Sequence, residues 1–222
     1  MKTFSIAIDG PAGAGKSTIA KKIAQEFKCI YIDTGAMYRS VGYYCLQNQI
    51  DYQDEEAVCR SLEDMHITLK TSEEGQQIYL NGTNVSQSIR TDVVASAASK
   101  VATYGQVRSE LVKRQQEMAS LQSVVMDGRD IGTVVLPFAT LKIFLTASVE
   151  ERADRRYKEY VEKGMDVSFE ALKEEIKARD AQDSGRKISP LKKADDAVEI
   201  DTTYMHIDEI VECIKNKLLE RL

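Results

Sequence analysis

The segment of residues 10–18, GPAGAGKST, constrains the fold of this chain more than any other. It follows the apolar run of residues 4–8 and precedes a helical apolar pattern, which predicts a strand, a glycine-rich loop and a helix in that order. The predicted apolar face of this helix consists of Ile19, Ala20, Ile23, Ala24 and Phe27. The glycines permit positive φ and let backbone N–H groups approach anionic oxygens at the positive end of the following helix. The match to G-x-x-x-x-G-K-[ST] predicts a nucleoside triphosphate site. A glycine-rich turn with a chance Lys-Ser pair is the alternative.

Two side chains of this segment, called here the phosphate loop, have predicted roles. Lys16 would reach the β- and γ-phosphates of the nucleotide, and the hydroxyl of Ser17 would bind Mg²⁺. The residues predicted to bind the nucleotide are Gly10, Pro11, Ala12, Gly13, Ala14, Gly15, Lys16, Ser17 and Thr18.

Composition narrows the class of protein. With 222 residues, 43% of them hydrophobic, the chain can bury a substantial core, and one main domain with an appendage is expected. The net charge of -5 argues against a nucleic-acid partner. Four cysteines without C-x-x-C spacing predict neither a zinc site nor disulfides. No leader peptide and no apolar stretch approaching about 18 residues are visible, so we expect a cytoplasmic protein without a membrane partner.

Short β-branched runs alternate with helical patterns along the chain. The predicted strands are residues 4–9, 29–33, 124–127, 141–145 and 197–201. Strands that alternate with helices predict an α/β fold with a parallel sheet covered by helices on both faces. A capping box at Ser148 predicts a helix that ends near Gly164, and the spacing of apolar residues from Ile207 to Leu218 predicts a last helix packed on the core.

Residues 67–90 break this alternation. Two short apolar runs and the hairpin signal Asn81-Gly82 predict a small antiparallel insertion between the second and third main strands. The insertion could contact a substrate, or it could act as a lid without direct contacts.

Two arginines follow strand ends beside the phosphate loop. Arg39 comes after the second main strand and Arg129 after the third, and both strands are expected to open at the same carboxyl edge. Because a guanidinium fits phosphate in bidentate fashion, they suggest an acceptor that is itself a phosphate. A structural salt bridge to Asp33 or Asp130 is the alternative. Asp127, at the end of the third strand, could organise the water shell of the metal or simply form the turn.

These residues and several further motifs, taken in order, resemble the bacterial cytidylate kinases of the nucleoside monophosphate kinase group. The resemblance runs from the phosphate loop to about Arg186. Its motifs are GPAGAGKST, DTGAMYR at 33–39, IRT at 89–91, AASKVA at 97–102, VR at 107–108, DGRDIGT at 127–133, and the pattern Arg179, Asp183, Arg186.

The resemblance implies a P-loop kinase fold: a five-stranded parallel sheet flanked by helices, with a small antiparallel β insertion and a helical lid. It implies one kinase domain over residues 1–222, with a monophosphate-binding insertion at about 63–103 and a lid at about 152–168. The implied reaction transfers the γ-phosphoryl group of ATP to CMP or dCMP, giving ADP and CDP or dCDP, with Mg²⁺ as cofactor and a monomeric enzyme.

The resemblance also implies roles for single residues. Arg39, Arg129 and Arg186 would hold the monophosphate. Arg108, Asp130 and Ser99 would meet the cytosine edge. Arg179 and Asp183 would contact the ribose. Thr34 and Tyr38 would complete the substrate pocket. The implied catalytic residues are Lys16, Arg129, Arg152, Arg155 and Arg186.

The proposed chemistry needs no catalytic base, because an acceptor phosphate is already anionic near neutral pH. Positioning and charge then stabilise the transition state. For the group of Arg152, Arg155 and Arg156 the alternative is a solvated helix face. Its i, i+4 ion pairs would be Glu151 with Arg155 and Arg155 with Glu159. Two other functions stay open: a nucleotide-dependent switch, although no Asn-Lys-x-Asp guanine motif is found, and a kinase of a hydroxyl group, which should use a carboxylate base.

Overall fold

The computed structural model describes residues 3–72 and 75–222. The strands are β1 (Ser5–Asp9), β2 (Ile30–Asp33), β3 (Ile67–Ser72), β4 (Gly75–Leu80), β5 (Thr83–Asn84), β6 (Val124–Gly128), β7 (Leu141–Thr146) and β8 (Val198–Asp201). The α-helices are α1 (Lys16–Glu26), α2 (Thr34–Gln47), α3 (Glu55–Ser61), α4 (Asp92–Val101), α5 (Gly105–Ser120), α6 (Val149–Glu162), α7 (Phe169–Ser184) and α8 (Ile207–Leu219). Two compact units form, Met1–Cys29 with Ser123–Leu222, and Ile30–Gln122.

The predicted five-stranded parallel sheet is confirmed, with the strand order β2-β6-β1-β7-β8. In the first unit β1 pairs with β6 on one side and with β7 on the other, and β7 pairs with β8. The chain leaves β1 toward one edge of the sheet and leaves β6 toward the other. The crevice between the carboxyl ends of β1 and β6 is therefore the point at which open α/β sheets bind ligands.

The helices α1 and α8 pack against the sheet strands of the first unit and against each other. The predicted apolar face of α1 is confirmed from Ile19 to Ala24, but Phe27 lies beyond the helix end and packs edge-on against Phe4 at 5.9 Å between ring centroids. In α8 the predicted core positions are buried except Ile207, which is exposed at the first residue of the helix.

Helix α6 begins where the sequence predicts, and α7 begins with a similar cap. The Ser148 hydroxyl accepts a hydrogen bond from the Glu151 amide at 3.1 Å, and Ser168 caps α7 in the same way. After α6, Gly164 takes a left-handed conformation (φ 71°), and the amide of Met165 donates to the carbonyl of Tyr160 at 2.9 Å. This is the usual glycine-terminated helix end.

The second unit contains the predicted insertion, a three-stranded antiparallel sheet in the order β3-β4-β5. Asn81 and Gly82 form the turn between β4 and β5 with positive φ at both residues, as the hairpin signal predicts. Beside this sheet α2 packs closely on α4. The helices approach so closely at Gly42 that an added Cβ there would lie 2.9 Å from the Ala98 amide nitrogen. One apolar core, which includes Met37 and Leu111, joins these elements.

The four cysteines are free thiols. Within residues 3–72 and 75–222, no helix is both long enough and apolar enough to cross a membrane.

Candidate active site

The phosphate loop lies between the carboxyl end of β1 and the first turn of α1. Gly10, Gly13 and Gly15 all have positive φ, at 147°, 77° and 85°. A Cβ at Gly10 would overlap the backbone carbonyl of Leu145 on β7, so this position tolerates only glycine. Because α1 begins at Lys16, within the phosphate loop, the positive end of this helix and its first amides, which have no partner inside a helix, face the loop and favour an anion there.

Lys16 is buried at the start of α1, with 6% of its surface exposed, and its Nζ donates to the carbonyl of Pro11 at 2.7 Å. Burial, and then the positive charge of Arg129, lower the pKa of Lys16 well below its ordinary value. The carboxylates of Asp127, Asp9 and Asp183 act in the opposite direction. A buried ammonium in this setting favours an anionic ligand, because a bound anion offsets the desolvation of the charge.

Ser17 and Asp127 form the oxygen-rich part of the site. The Ser17 hydroxyl donates to Asp127 Oδ2 at 2.8 Å, and Asp127 is buried at the end of β6. Within the described ranges no group of three His, Cys, Asp or Glu side chains could hold a metal by itself. This arrangement fits Mg²⁺, which takes oxygen ligands and is usually held by one or two protein oxygens together with substrate phosphates.

Asp9 also lies in this site, although the sequence motifs did not identify it as a candidate site residue. Its carboxylate accepts from the amides of Ile131 and Gly132 at 2.8 and 2.7 Å. Burial raises the pKa of Asp9 to about 6, with the two backbone hydrogen bonds opposing the rise. The signal in the sequence was an aspartate at the end of an otherwise apolar strand, which burial makes costly unless it has a partner.

Three arginines surround the buried carboxylate of Asp183 on α7. Arg129 Nε donates to Asp183 Oδ2 at 2.8 Å, and Arg186 Nη2 donates to Asp183 Oδ1. Burial acts to raise the pKa of Asp183, but the charges of Arg129 and Arg186 outweigh it and hold the pKa below its usual value. Burial and the charge of Arg129 lower the pKa of Arg179. The guanidinium groups outnumber the carboxylate at their centre, so the cluster can take up a further anion.

The arginines of α6 make well-defined protein contacts. Arg152, with 4% of its side chain exposed, forms a bidentate pair with Asp180 at 3.0 and 2.6 Å. It also donates to the carbonyl of Ala12 in the phosphate loop at 3.1 Å. Arg155 donates to Glu151, as the ion-pair alternative anticipates, and to the carbonyl oxygen of Thr202. The catalytic roles of both arginines stay predictions.

In the second unit the DTGAMYR motif forms the end of β2 and the first turns of α2. Asp33 caps α2 by accepting from the Ala36 amide at 2.8 Å and also accepts from Arg39 Nη2 at 2.9 Å. The predicted salt-bridge alternative for Arg39 is therefore present. The buried Nε of Arg39 has no hydrogen-bond partner in the part of the chain that the structure describes, which leaves a donor for a ligand. Thr34 is buried at the first residue of α2.

The second unit also brings together two of the residues predicted to surround the base. The guanidinium of Arg108, a residue with 3% of its surface exposed, lies 5.3 Å from the ring centroid of Tyr38 and donates to the carbonyl of Ala102 at 3.0 Å. Ser99 is half-buried on α4, the helix that packs on α2. In the first unit Asp130 is buried directly after Arg129.

Comparisons with known proteins show which family this chain resembles in sequence and fold. A solved structure of an uncharacterized protein from Eubacterium ventriosum covers 99% of this chain and 100% of its own, with a TM-score of 0.55 at 13% identity, which shows a shared fold. Cytidylate kinase from Bacillus subtilis is 55% identical over 213 residues, 96% of this chain and 95% of its own length. Cytidylate kinase from Anoxybacillus flavithermus is 54% identical over 221 residues, 100% of this chain and 98% of its own. The family model for cytidylate kinase matches residues 6–220. The chain therefore belongs to the cytidylate kinase family.

Proposed function

We propose that the protein transfers the γ-phosphoryl group of ATP to CMP or dCMP, giving ADP and CDP or dCDP. Family membership makes it an ATP-dependent nucleoside monophosphate kinase, with ATP as co-substrate and small nucleotides as substrates. The observation that carries the proposal is the cluster of Arg129, Arg179 and Arg186 around Asp183, in the same unit as the phosphate loop. A phosphate acceptor is the ligand that such a surplus of guanidinium groups recognises.

The acceptor phosphate is held by Arg39, Arg129 and Arg186 in this proposal. Each of these side chains is already oriented by an ion pair with a carboxylate, Asp33 for the first and Asp183 for the other two. An arginine fixed by one carboxylate keeps further N–H donors for a second anion. Because the attacking oxygen is already deprotonated, none of these groups has to remove a proton.

The donor side uses the phosphate loop of residues 10–18, with Lys16 on the β- and γ-phosphates. Ser17 holds the Mg²⁺, and Asp127 orients the Ser17 hydroxyl through their hydrogen bond. When bound, the metal neutralises charge on the phosphoryl oxygens. The residues of the chain then supply positioning and positive charge in a water-poor site, the two contributions that dominate phosphoryl transfer.

Recognition of the base is assigned to Arg108, Asp130 and Ser99, with Tyr38 as a wall of the pocket. The buried stack of Arg108 on Tyr38 supports this assignment, since it provides a rigid polar edge beside an aromatic face. Arg179 and Asp183 contact the ribose. Cytosine presents an amino donor beside an acceptor nitrogen, whereas uracil presents the reverse pattern, so the wrong base leaves buried groups unpaired.

The remaining assignments concern the lid, the insertion, the oligomeric state and the location of the enzyme. Arg152 and Arg155 meet the transferring phosphoryl group from the lid, residues 152–168, and the insertion, residues 63–103, serves the acceptor. The bond from Arg152 to the Ala12 carbonyl supports the first assignment, because it brings this arginine to the phosphate loop. We further propose a monomer in the cytoplasm.

A panel of nucleoside monophosphates and alcohols, each supplied with ATP and scored for ADP release, tests the proposed function. CMP and dCMP should exceed UMP in kcat/KM by on the order of a hundredfold, and Asp130→Ala should reduce that ratio. Ser96→Ala, an exposed change on α4, is the control and should keep the ratio. Equal kcat/KM for CMP and UMP in the unmodified protein would refute the base assignment, and preferred phosphorylation of an alcohol would refute the function.

A further inference from the structure

The carboxylate of Asp9 has no role in the donor and acceptor contacts proposed above, yet it is buried at the carboxyl end of β1, at the switch point of the sheet. Its two oxygens bind two successive backbone amides, those of Ile131 and Gly132. These amides open a short π-helix, residues 131–135, and helix-opening amides lack partners within the helix itself. Asp9 therefore caps a helix that is distant from it in sequence.

Asp9 also contacts the other end of the turn formed by residues 128–132, which connects β6 to this π-helix. The backbone of Asp9 pairs in register with Gly128, the last residue of β6. Asp9 thus contacts Gly128 through its backbone and Ile131 through its side chain. Arg129 and Asp130 are the two residues between these contacts. Their path is constrained further because the Asp130 carbonyl accepts from the amides of Val134 and Val135 at 2.9 and 3.2 Å.

The opposite side of the contact is closely packed. A Cβ added at Gly132 would lie 3.3 Å from Asp9 Oδ2 and 3.1 Å from Lys142 Cδ. An alanine at position 132 would therefore press on the carboxylate while keeping its charge. Replacing Asp9 by asparagine would keep the shape but would set an amide N–H₂ group against one of the two backbone donors.

We propose that Asp9 is a positioning residue for the acceptor: its carboxylate fixes the turn that carries Arg129 and Asp130 and thereby sets how the monophosphate and its base are held. The inference rests on the proposed function, because that function assigns Arg129 and Asp130 to the acceptor. Lys16 also interacts with the charge of Asp9, so a role on the donor side is the competing explanation.

Steady-state kinetics of Asp9→Asn and Gly132→Ala, with CMP and ATP varied separately in the presence of Mg²⁺, distinguish these roles. Both variants should raise the KM for CMP by about tenfold or more and lower kcat, because small displacements of positioning groups are costly. The KM for ATP should stay within about twofold. The Gly132→Ala variant keeps the carboxylate, so a shared effect on CMP comes from the turn and not from lost charge beside Lys16.

Asp54→Asn is the matched control, since the Asp54 carboxylate also binds two successive amides, those of Glu56 and Ala57, at the start of α3. It should leave both KM values unchanged. The inference would be overturned by a rise in the KM for ATP alone, by equal rises in both KM values, or by unchanged constants. In each of these cases, CMP kinase activity of the unmodified protein would still uphold the proposed function. If Asp9→Asn does not fold, Gly132→Ala decides by the same criterion. An unmodified protein that does not phosphorylate CMP refutes the function and, with it, the acceptor role of Asp9.

Discussion

At the scale of single residues, the site consists of charges that the fold has largely removed from water. A buried charge is tolerated when a partner of opposite sign and hydrogen bonds compensate for desolvation. Asp183 meets this condition through Arg129 and Arg186, and Asp33 gives Arg39 a partner of the same kind. Each of these ion pairs therefore fixes the direction of a planar guanidinium group.

Arg39→Lys tests the proposal that Arg39 binds the acceptor phosphate. A lysine ammonium can keep the ion pair with Asp33 but cannot reproduce the planar, bidentate guanidinium. CMP binding should weaken by about 10- to 100-fold, corresponding to loss of one charge-assisted hydrogen bond of about 1.5–3 kcal/mol. ATP binding should change by less than about twofold. Isothermal titration with each nucleotide measures both effects. Arg60→Lys, at an exposed arginine paired with Glu56, is the control. If Arg39→Lys weakens the binding of CMP and ATP equally and lowers the melting temperature, the ion pair of Arg39 with Asp33 is purely structural.

At the scale of secondary structure elements, close approach of α2 and α4 positions several residues assigned to the acceptor. The first turns of α2 carry Thr34, Tyr38 and Arg39, and α4 carries Ser99. The two helices approach at Gly42, where an added Cβ would lie 2.9 Å from the Ala98 nitrogen and 3.1 Å from the Ala97 Cβ. Since one of these neighbours is backbone, relief requires the helices to move apart.

Gly42→Ala should therefore destabilise the protein by about 1–3 kcal/mol, even though alanine favours a helix over glycine by up to about 1 kcal/mol. The KM for CMP should rise because Ser99 moves relative to Tyr38, whereas the KM for ATP should stay near its original value. Thermal unfolding and kinetics with each substrate measure these changes. Ser96→Ala on the exposed side of α4 serves as control. Increased stability in Gly42→Ala would contradict the close packing assigned to this helix pair.

At the scale of the whole molecule, the dependence of stability on pH contains opposing contributions from two buried aspartates. The pKa of Asp9 is raised from 3.8 to about 6 by burial, so between these values the folded protein binds more protons than the unfolded chain. Its contribution to stability is fully present below about pH 4 and is lost as pH rises through about 6. The pKa of Asp183 is lowered by Arg129 and Arg186 despite burial, so its contribution is present above its usual value and is lost in acid.

The difference in the free energy of unfolding between the unmodified protein and Asp9→Asn isolates the first contribution. The asparagine does not titrate, so the free energy of unfolding of the unmodified protein minus that of the variant should fall by roughly 2 kcal/mol from pH 4 to pH 7. Urea unfolding at several pH values measures this difference. A difference that stays flat or rises over this range would mean that burial does not raise the pKa of Asp9.

Elements governed by local chemistry were predictable from the amino-acid sequence. The strands of the main sheet, the phosphate loop, the Ser148 cap and the turn at Asn81-Gly82 all follow from apolar periodicity, capping or glycine conformation within a few residues. The family motifs supplied the candidate site residues. Local patterns were less reliable at helix ends, where Phe27 and Ile207 depart from the expected burial, because periodicity within a helix does not fix the residue at which the helix starts or stops.

Contacts between distant parts of the chain were decided by tertiary structure alone. Asp9 binds amides more than a hundred residues further along the chain, Arg129 donates to Asp183 on α7, and Arg152 pairs with Asp180. The strand order places β1 beside β6, and the packing of α6 on α7 brings the last of these pairs together. The sequence by itself therefore determined the elements, the phosphate loop and the residue types of the site. Which carboxylate holds which arginine depended on the order and packing of those elements, because a charge selects its partner from the groups that the fold brings within a few ångströms.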